Sequence, residues 1–220
     1  MVVVGTSTAR AQTELVVTSG TSTLTFTGSS ISTGPLSVGG WSLSAIGDTN
    51  SPLLHPIFGI GLDTLRISCT DSACVSNPLT LTLSSQGFTQ PTDNFTAGAT
   101  ALRVTAGITY TSNSYWDVTN SLGGTTTLIN THTITGPAVG EDEISSGGGS
   151  SGPGPYSLTL VDVFTATTVG AGMSSATSDI AATPEPSTML LFGLGLLLFG
   201  TIVRRKQSAR AKTIALIPVA

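Results

Sequence analysis

Alternation with a period of two residues runs through most of this chain, and it commits the chain to strands that bury one face. Leu79, Leu81 and Leu83 alternate with Thr80, Thr82 and Ser84. Leu102, Val104, Ala106, Ile108 and Tyr110 fall on one side while Arg103, Thr105, Thr109 and Thr111 fall on the other, with Gly107 placed for a bulge. This stretch reads as a strand pair or as one long bent strand. Further strands are expected at Glu14 to Val17, Thr23 to Thr27, Trp41 to Ile46, Thr64 to Ser68, Thr125 to Thr135 and Tyr156 to Thr168. In the last of these the apolar register passes from Tyr156, Leu158 and Leu160 to Val161 and Val163, which predicts a bulge near Asp162. No apolar stripe of helical period exceeds two turns before residue 188. The fold class that follows is all-β, an antiparallel β-sandwich over residues 12–182. Residues 144–155, rich in Gly, Ser and Pro, read as a flexible loop between its last two strand regions.

The alternation stops at a run of another kind. Thr188 to Val203 holds sixteen residues without a charge, about 24 Å long as a helix and so a single short transmembrane helix against a core of roughly 30 Å. Arg204, Arg205 and Lys206 follow at once, the basic cluster that the positive-inside rule keeps in the cytoplasm. The sandwich is therefore expected outside. Thr183-Pro184-Glu185-Pro186-Ser187 precedes the run, and its two prolines bias the backbone toward an extended form that a processing enzyme can grip.

Pro184-Glu185-Pro186, a short Leu/Gly/Phe-rich helix and an Arg-rich end, in that order, resemble the PEP-CTERM sorting tail over residues 183–206. The resemblance implies recognition by exosortase, a membrane-embedded cysteine transpeptidase of bacteria that usually also make exopolysaccharide. Pro184, Glu185, Pro186 and Ser187 would then be the processing motif. The partners implied are exosortase, the inner membrane before processing, and exopolysaccharide in the matrix. Most such tails end within a few residues of the basic cluster, whereas residues 207–220 run on here as a cytoplasmic extension. At the other end, Ala9-Arg10-Ala11 before Gln12 fits a signal-peptidase site, so residues 1–11 read as the remnant of a secretory signal peptide.

Charge narrows the partners further. Between Gln12 and Thr183 eleven acidic residues face two basic ones, Arg66 and Arg103, a net charge of −9 with no lysine. Such a body repels phosphate backbones, so nucleic acid is not expected as a partner. Serine and threonine, about 30% of the residues, keep the surface wet in place of charge. Cys69 and Cys74, in a polar turn, are expected to close a small disulfide loop outside the cytoplasm.

A hydrolase would need a nucleophile with a base, a carboxylate pair or a metal, and no G-x-S-x-G, H-E-x-x-H or phosphate-loop pattern occurs. His55 and His132 are isolated, each expected as a surface or satisfied histidine. Glu141-Asp142-Glu143 is a weak calcium candidate on a loop. Tyr115-Trp116-Asp117 is a candidate ligand edge, where an aromatic face could stack on a sugar. No cofactor is expected. The function expected is a non-catalytic cell-surface or extracellular-matrix protein sorted by exosortase, with an exopolysaccharide-binding adhesin or lectin-like module as the alternative.

Overall fold

The computed structural model describes residues 12–48, 59–89, 92, 94–148 and 154–183. The strands are β1 Thr13–Ser19, β2 Ser22–Gly28, β3 Ser30–Ser32, β4 Leu36–Val38, β5 Trp41–Asp48 and β6 Gly59–Cys69. A five-residue helix, α1 Ser72–Ser76, comes next. β7 Leu79–Phe88, β8 Asn94–Val104, β9 Ile108–Asp117, β10 Thr127–Thr135, β11 Ala138–Gly148, β12 Tyr156–Ala166 and β13 Gly172–Thr183 complete the body. They form two antiparallel sheets, ordered β10-β9-β12-β7-β1-β2 and β11-β8-β13-β6-β5-β3, with β4 beside β5. From β7 onward the chain moves repeatedly from one sheet to the other, so the core between them is closed by connections of high sequence separation. The chain divides into two units at Thr183/Pro184. The apolar run 188–203, the motif Pro184 to Ser187, the basic cluster Arg204 to Lys206, residues 1–11, residues 207–220 and His55 lie outside the described residues.

The two inner faces are complementary in size. Sheet one presents Tyr110, Trp116, Tyr156, Leu158, Leu160 and Phe164, all buried. The middle of sheet two answers with Ala97, Ala99 and Ala101 on β8 and with Ala176, Ser178 and Ala182 on β13, also buried. Large rings therefore meet small side chains, which is how two sheets about 10 Å apart fill the space between them without voids.

Several sequence expectations change here. Ile144 to Gly148 is not loop but the end of β11, paired with β8 from Ile144↔Gly98 to Gly148↔Asn94. A partner strand satisfies a backbone that offers little side-chain packing of its own. The stretch from Leu102 to Tyr110 is a pair of strands, β8 and β9, placed in different sheets. Leu102 faces solvent while Val104 is buried, because Arg103 takes a left-handed φ of 50° and shifts the parity. The bulge expected near Asp162 is absent. β12 keeps one parity from Leu158 through Leu160 and Asp162 to Phe164, all fully buried, and its irregularity against β7 falls at Tyr156/Ser157. An acidic residue thus occupies a core position.

A matching shift of parity crosses sheet two. On β6, Leu65 and Arg66 are both exposed between buried Thr64 and Ile67; on β8, Leu102 and Arg103 are both exposed between buried Ala101 and Val104. On β13 between them, Ser174 and Ser175 lie between buried Met173 and Ala176. Ser175 pairs with Leu65 on one side and Leu102 on the other, so the three defects sit in register. The row ends against β5, where two β6 residues oppose one and the register shifts between Ser42 and Ser44.

Candidate functional site

The site with the clearest consequence is the end of β13, because Pro184 follows Thr183 directly in the chain. β13 is a central strand, bonded to β6 as far as Ala181↔Gly59 and to β8 as far as Ala182↔Phe95 and Thr183↔Asn94. Beside this exit stands an aromatic cluster. Phe95 stacks on Trp116 with centroids 5.8 Å apart, meets Tyr156 edge-on at 5.8 Å, and Tyr156 stacks on Phe88 at 5.5 Å. The last paired residues of the body are therefore packed as well as hydrogen-bonded. Zero residues of linker separate them from the proline motif.

The candidate ligand edge is part of that cluster. Trp116 is 7% exposed and turned toward Phe95, Asp117 is 1% exposed, and Tyr115 alone of the three is half-buried on the outer face of β9. Asp117 organises the turn after β9. Its Oδ1 accepts from the Thr119 amide (2.9 Å) and Thr126 Oγ1 (2.9 Å), and its Oδ2 from Thr119 Oγ1 (2.6 Å) and Ser121 Oγ (2.7 Å). Burial opposes ionisation, yet these donors outweigh it and hold the carboxyl well below the usual range. A Cβ on Gly124 would collide with Asp117 Oδ2, so the turn can close only around glycine there. The geometry is that of a turn cap.

Glu141, Asp142 and Glu143 lie on β11, paired with Ala101, Thr100 and Ala99, not on a loop. His132 is 5% exposed on β10, with its Nε2 3.2 Å from Ser145 Oγ of β11, a contact that helps join the edges of the two sheets. Asn130 Nδ2 donates to the same Ser145 oxygen.

Cys69 and Cys74 form a disulfide and are buried. The loop they close holds the first turn of α1, capped by Asp71 Oδ1 accepting from the Ala73 amide at 2.7 Å. Gly40, at φ 83°, leaves room for that carboxylate. Trp41 Nε1 donates to the Asn77 carbonyl at 3.0 Å and pins the far side of the loop.

A buried acid at the centre of the core was missed from the sequence. Asp162 Oδ2 accepts from Ser178 Oγ (2.8 Å) and from Tyr110 Oη (3.3 Å), while Asp162 Oδ1 has no protein partner among the described residues. Burial pushes its carboxyl up to about 7 against the opposing effect of the hydroxyls of Ser112, Ser178 and Tyr110. Burial likewise raises the Tyr110 phenol well above its usual value, and the neighbouring Asp162 charge adds to this. The signal available was parity: Leu158, Leu160, Asp162 and Phe164 share one face of a strand.

No curated protein matches the chain. Among solved structures, the enzymatically active domain of a bacteriophage CBA120 tailspike protein aligns at 13% identity and TM-score 0.36, over 66% of this chain and 19% of that one. The chain thus spans about a fifth of that domain's length. A carbohydrate-binding module in complex with β-1,4-galactotriose aligns at 11% identity and TM-score 0.30, over 66% and 88%. The cleaved adhesin domain of Lys-gingipain from Porphyromonas gingivalis aligns at 10% identity and TM-score 0.35, over 71% and 99%. A family match falls on the tail that leaves β13: residues 182–206 are a PEP-CTERM protein-sorting motif.

Proposed function

We propose that this is a secreted, non-catalytic protein of the cell surface or extracellular matrix, held transiently in the inner membrane by its C-terminal tail and released from it by exosortase. The observation that carries the reading is the PEP-CTERM motif at residues 182–206. The body's design agrees with it. A central strand, locked on both sides and backed by Phe95 and Trp116, delivers the proline motif with no intervening linker. A tail processed at Pro184 to Ser187 leaves every described strand intact. Arg204, Arg205 and Lys206 hold the cytoplasmic side and set the body outside.

The burial of aromatic side chains supports a structural role over a lectin built on an aromatic platform. Trp41, Trp116, Tyr110 and Tyr156 are all at most 7% exposed, so their faces are spent on the core and not offered to a sugar.

The test is the intact mass of the protein recovered from its own host, with and without a functional exosortase. A species ending between Pro184 and Ser187, found only when the enzyme is present, is the expected result. An intact tail in both strains would overturn the sorting role and leave a membrane-anchored protein.

A further inference from the structure

We infer that the outer face of sheet two carries a binding site for an acidic polysaccharide, built on Arg66 and Arg103. These are the only basic side chains between Gln12 and Thr183. They come from sequence-distant strands, yet they arrive at the same level on either side of β13, two interstrand spacings or about 10 Å apart. Both are exposed.

The backbone makes the coincidence specific. Arg66 and Arg103 have φ of 54° and 50°, a conformation costly for a long side chain, and the only other described non-glycine residue there is Asn120. Glycine or asparagine would serve the bulges better, so the backbone need not explain the arginines. Strain kept in two places at one level of one sheet points to a use for the side chains. The sequence repeats the device as Leu65-Arg66-Ile67 and Leu102-Arg103-Val104. Because each bulge turns two consecutive residues outward, each arginine is accompanied by an exposed leucine, Leu65 at 41% and Leu102 at 45%. Ser174, exposed between the arginines, and Ser175, between the leucines, complete two short rows.

The chemistry of this surface selects the ligand. Each guanidinium presents a planar fork that matches a carboxylate or sulfate. Only two such forks on a body of net charge −9 would not hold a densely charged polymer such as nucleic acid or an anionic bilayer against general repulsion. A linear polymer with sparse charges fits better. Its acidic groups would meet the arginines, its hydroxyls the serines, and its C–H faces the leucines. The next row along β13 is Thr177, which pairs with Asp63 on β6 and with Thr100 on β8, itself paired with Asp142 on β11, so fixed opposing charge limits how far the site can extend in that direction. Ser174 lies nine residues before Thr183, about 30 Å along the strand, so the site is at the opposite end of β13 from the sorting motif. The proposal goes beyond sorting and holds or fails whether or not the tail is processed.

The experiment titrates hyaluronate, a linear polymer with one carboxylate per disaccharide, into the full chain in a neutral detergent at low salt, with neutral dextran as the control. Binding of hyaluronate that weakens with added salt, and none of dextran, is expected. The R66N/R103N pair suits the left-handed backbone and should reduce affinity by about tenfold or more with an unchanged melting profile. The R66K/R103K pair, which keeps the charge and loses the fork, should bind several-fold more weakly than the parent and serves as the readout if the asparagine pair does not fold. Absence of hyaluronate binding, equal binding of dextran, DNA or anionic vesicles, or unchanged affinity in a folded double variant would each overturn the site.

Discussion

Ser178 Oγ on β13 donates a 2.8 Å hydrogen bond to Asp162 Oδ2 on β12, tying the two sheets together through the middle of an apolar core. The carboxyl titrates near 7 because burial disfavours its charge more than the surrounding hydroxyls favour it. In the unfolded chain it titrates near the ordinary aspartate value, about 4. Between these two pH values the unfolded state releases a proton that the folded state keeps, so stability falls as pH rises through this window. The stabilisation is fully present below about pH 4 and lost above about pH 7, with a total on the order of 4 kcal/mol. Asp162→Asn should flatten that segment of the stability curve and raise the melting temperature at pH 8. An unchanged slope in urea-denaturation midpoints between pH 5 and 8 would remove Asp162 as its source.

Asp117 works with the opposite sign. Its folded-state carboxyl is held low by the Thr119, Ser121 and Thr126 donors despite burial, so its contribution is present above the ordinary carboxylate range and is lost only as pH falls below it. Asp117→Ala leaves four donors without their acceptor. It should cost about 2–4 kcal/mol at pH 7 and much less at pH 2. A loss of equal size at both pH values would show that the charge on the cap does not matter.

Much of the sandwich is written in side-chain alternation. Leu79 to Leu83 sits on a strand with its leucines fully buried, and Leu15 and Val17 do the same on β1. What alternation hid follows one physical rule: a strand is announced by large apolar residues, and sheet two often lacks them. β13 reads GMSSATSDIAAT and was not expected at all, because its inward Ala176 and Ser178 are small where Tyr110 reaches across to the Thr177 carbonyl. The bulges at Leu65-Arg66 and Leu102-Arg103 were hidden for another reason, since a parity shift becomes visible only when the neighbouring strands are known. The sorting motif was legible because a signal of this kind is written in local sequence, whereas the buried Asp162 depends on which residues face it from the other sheet.

The disulfide closes a loop of sequence separation 5, and so short a loop removes little entropy from the unfolded chain, about 2 kcal/mol. Reduction, or the C69A/C74A pair, should lower the melting temperature by roughly 4–8 °C while keeping one cooperative transition. The Asp71 cap and the Trp41–Asn77 bond remain to hold the corner. Collapse of cooperativity on reduction, followed by near-ultraviolet circular dichroism, would mean that the bridge organises the fold and does not merely fasten one turn.

Processing at the motif should leave the stability of the body unchanged, because every backbone partner of β13 lies at or before Thr183. The form released in the host and the full-length form from a strain lacking exosortase should melt within about 2 °C of each other, given that 1 kcal/mol moves a domain of this size by roughly 2–4 °C. Removing residues on the other side of Thr183 has the opposite effect. A chain ending at Ser178 lacks Ile180 and Ala182, both buried, and strips Phe95, Ala97, Gly59 and Ile60 of their β13 partners in the centre of a sheet. Deleting Ile180 alone from a core costs about 2–5 kcal/mol, and unpaired buried amides add to it, so this truncation should show no cooperative transition. A cooperative melt from the chain ending at Ser178 would mean that the body does not depend on its last strand, and that the position of the motif directly after Thr183 carries no structural constraint on where the tail is cut.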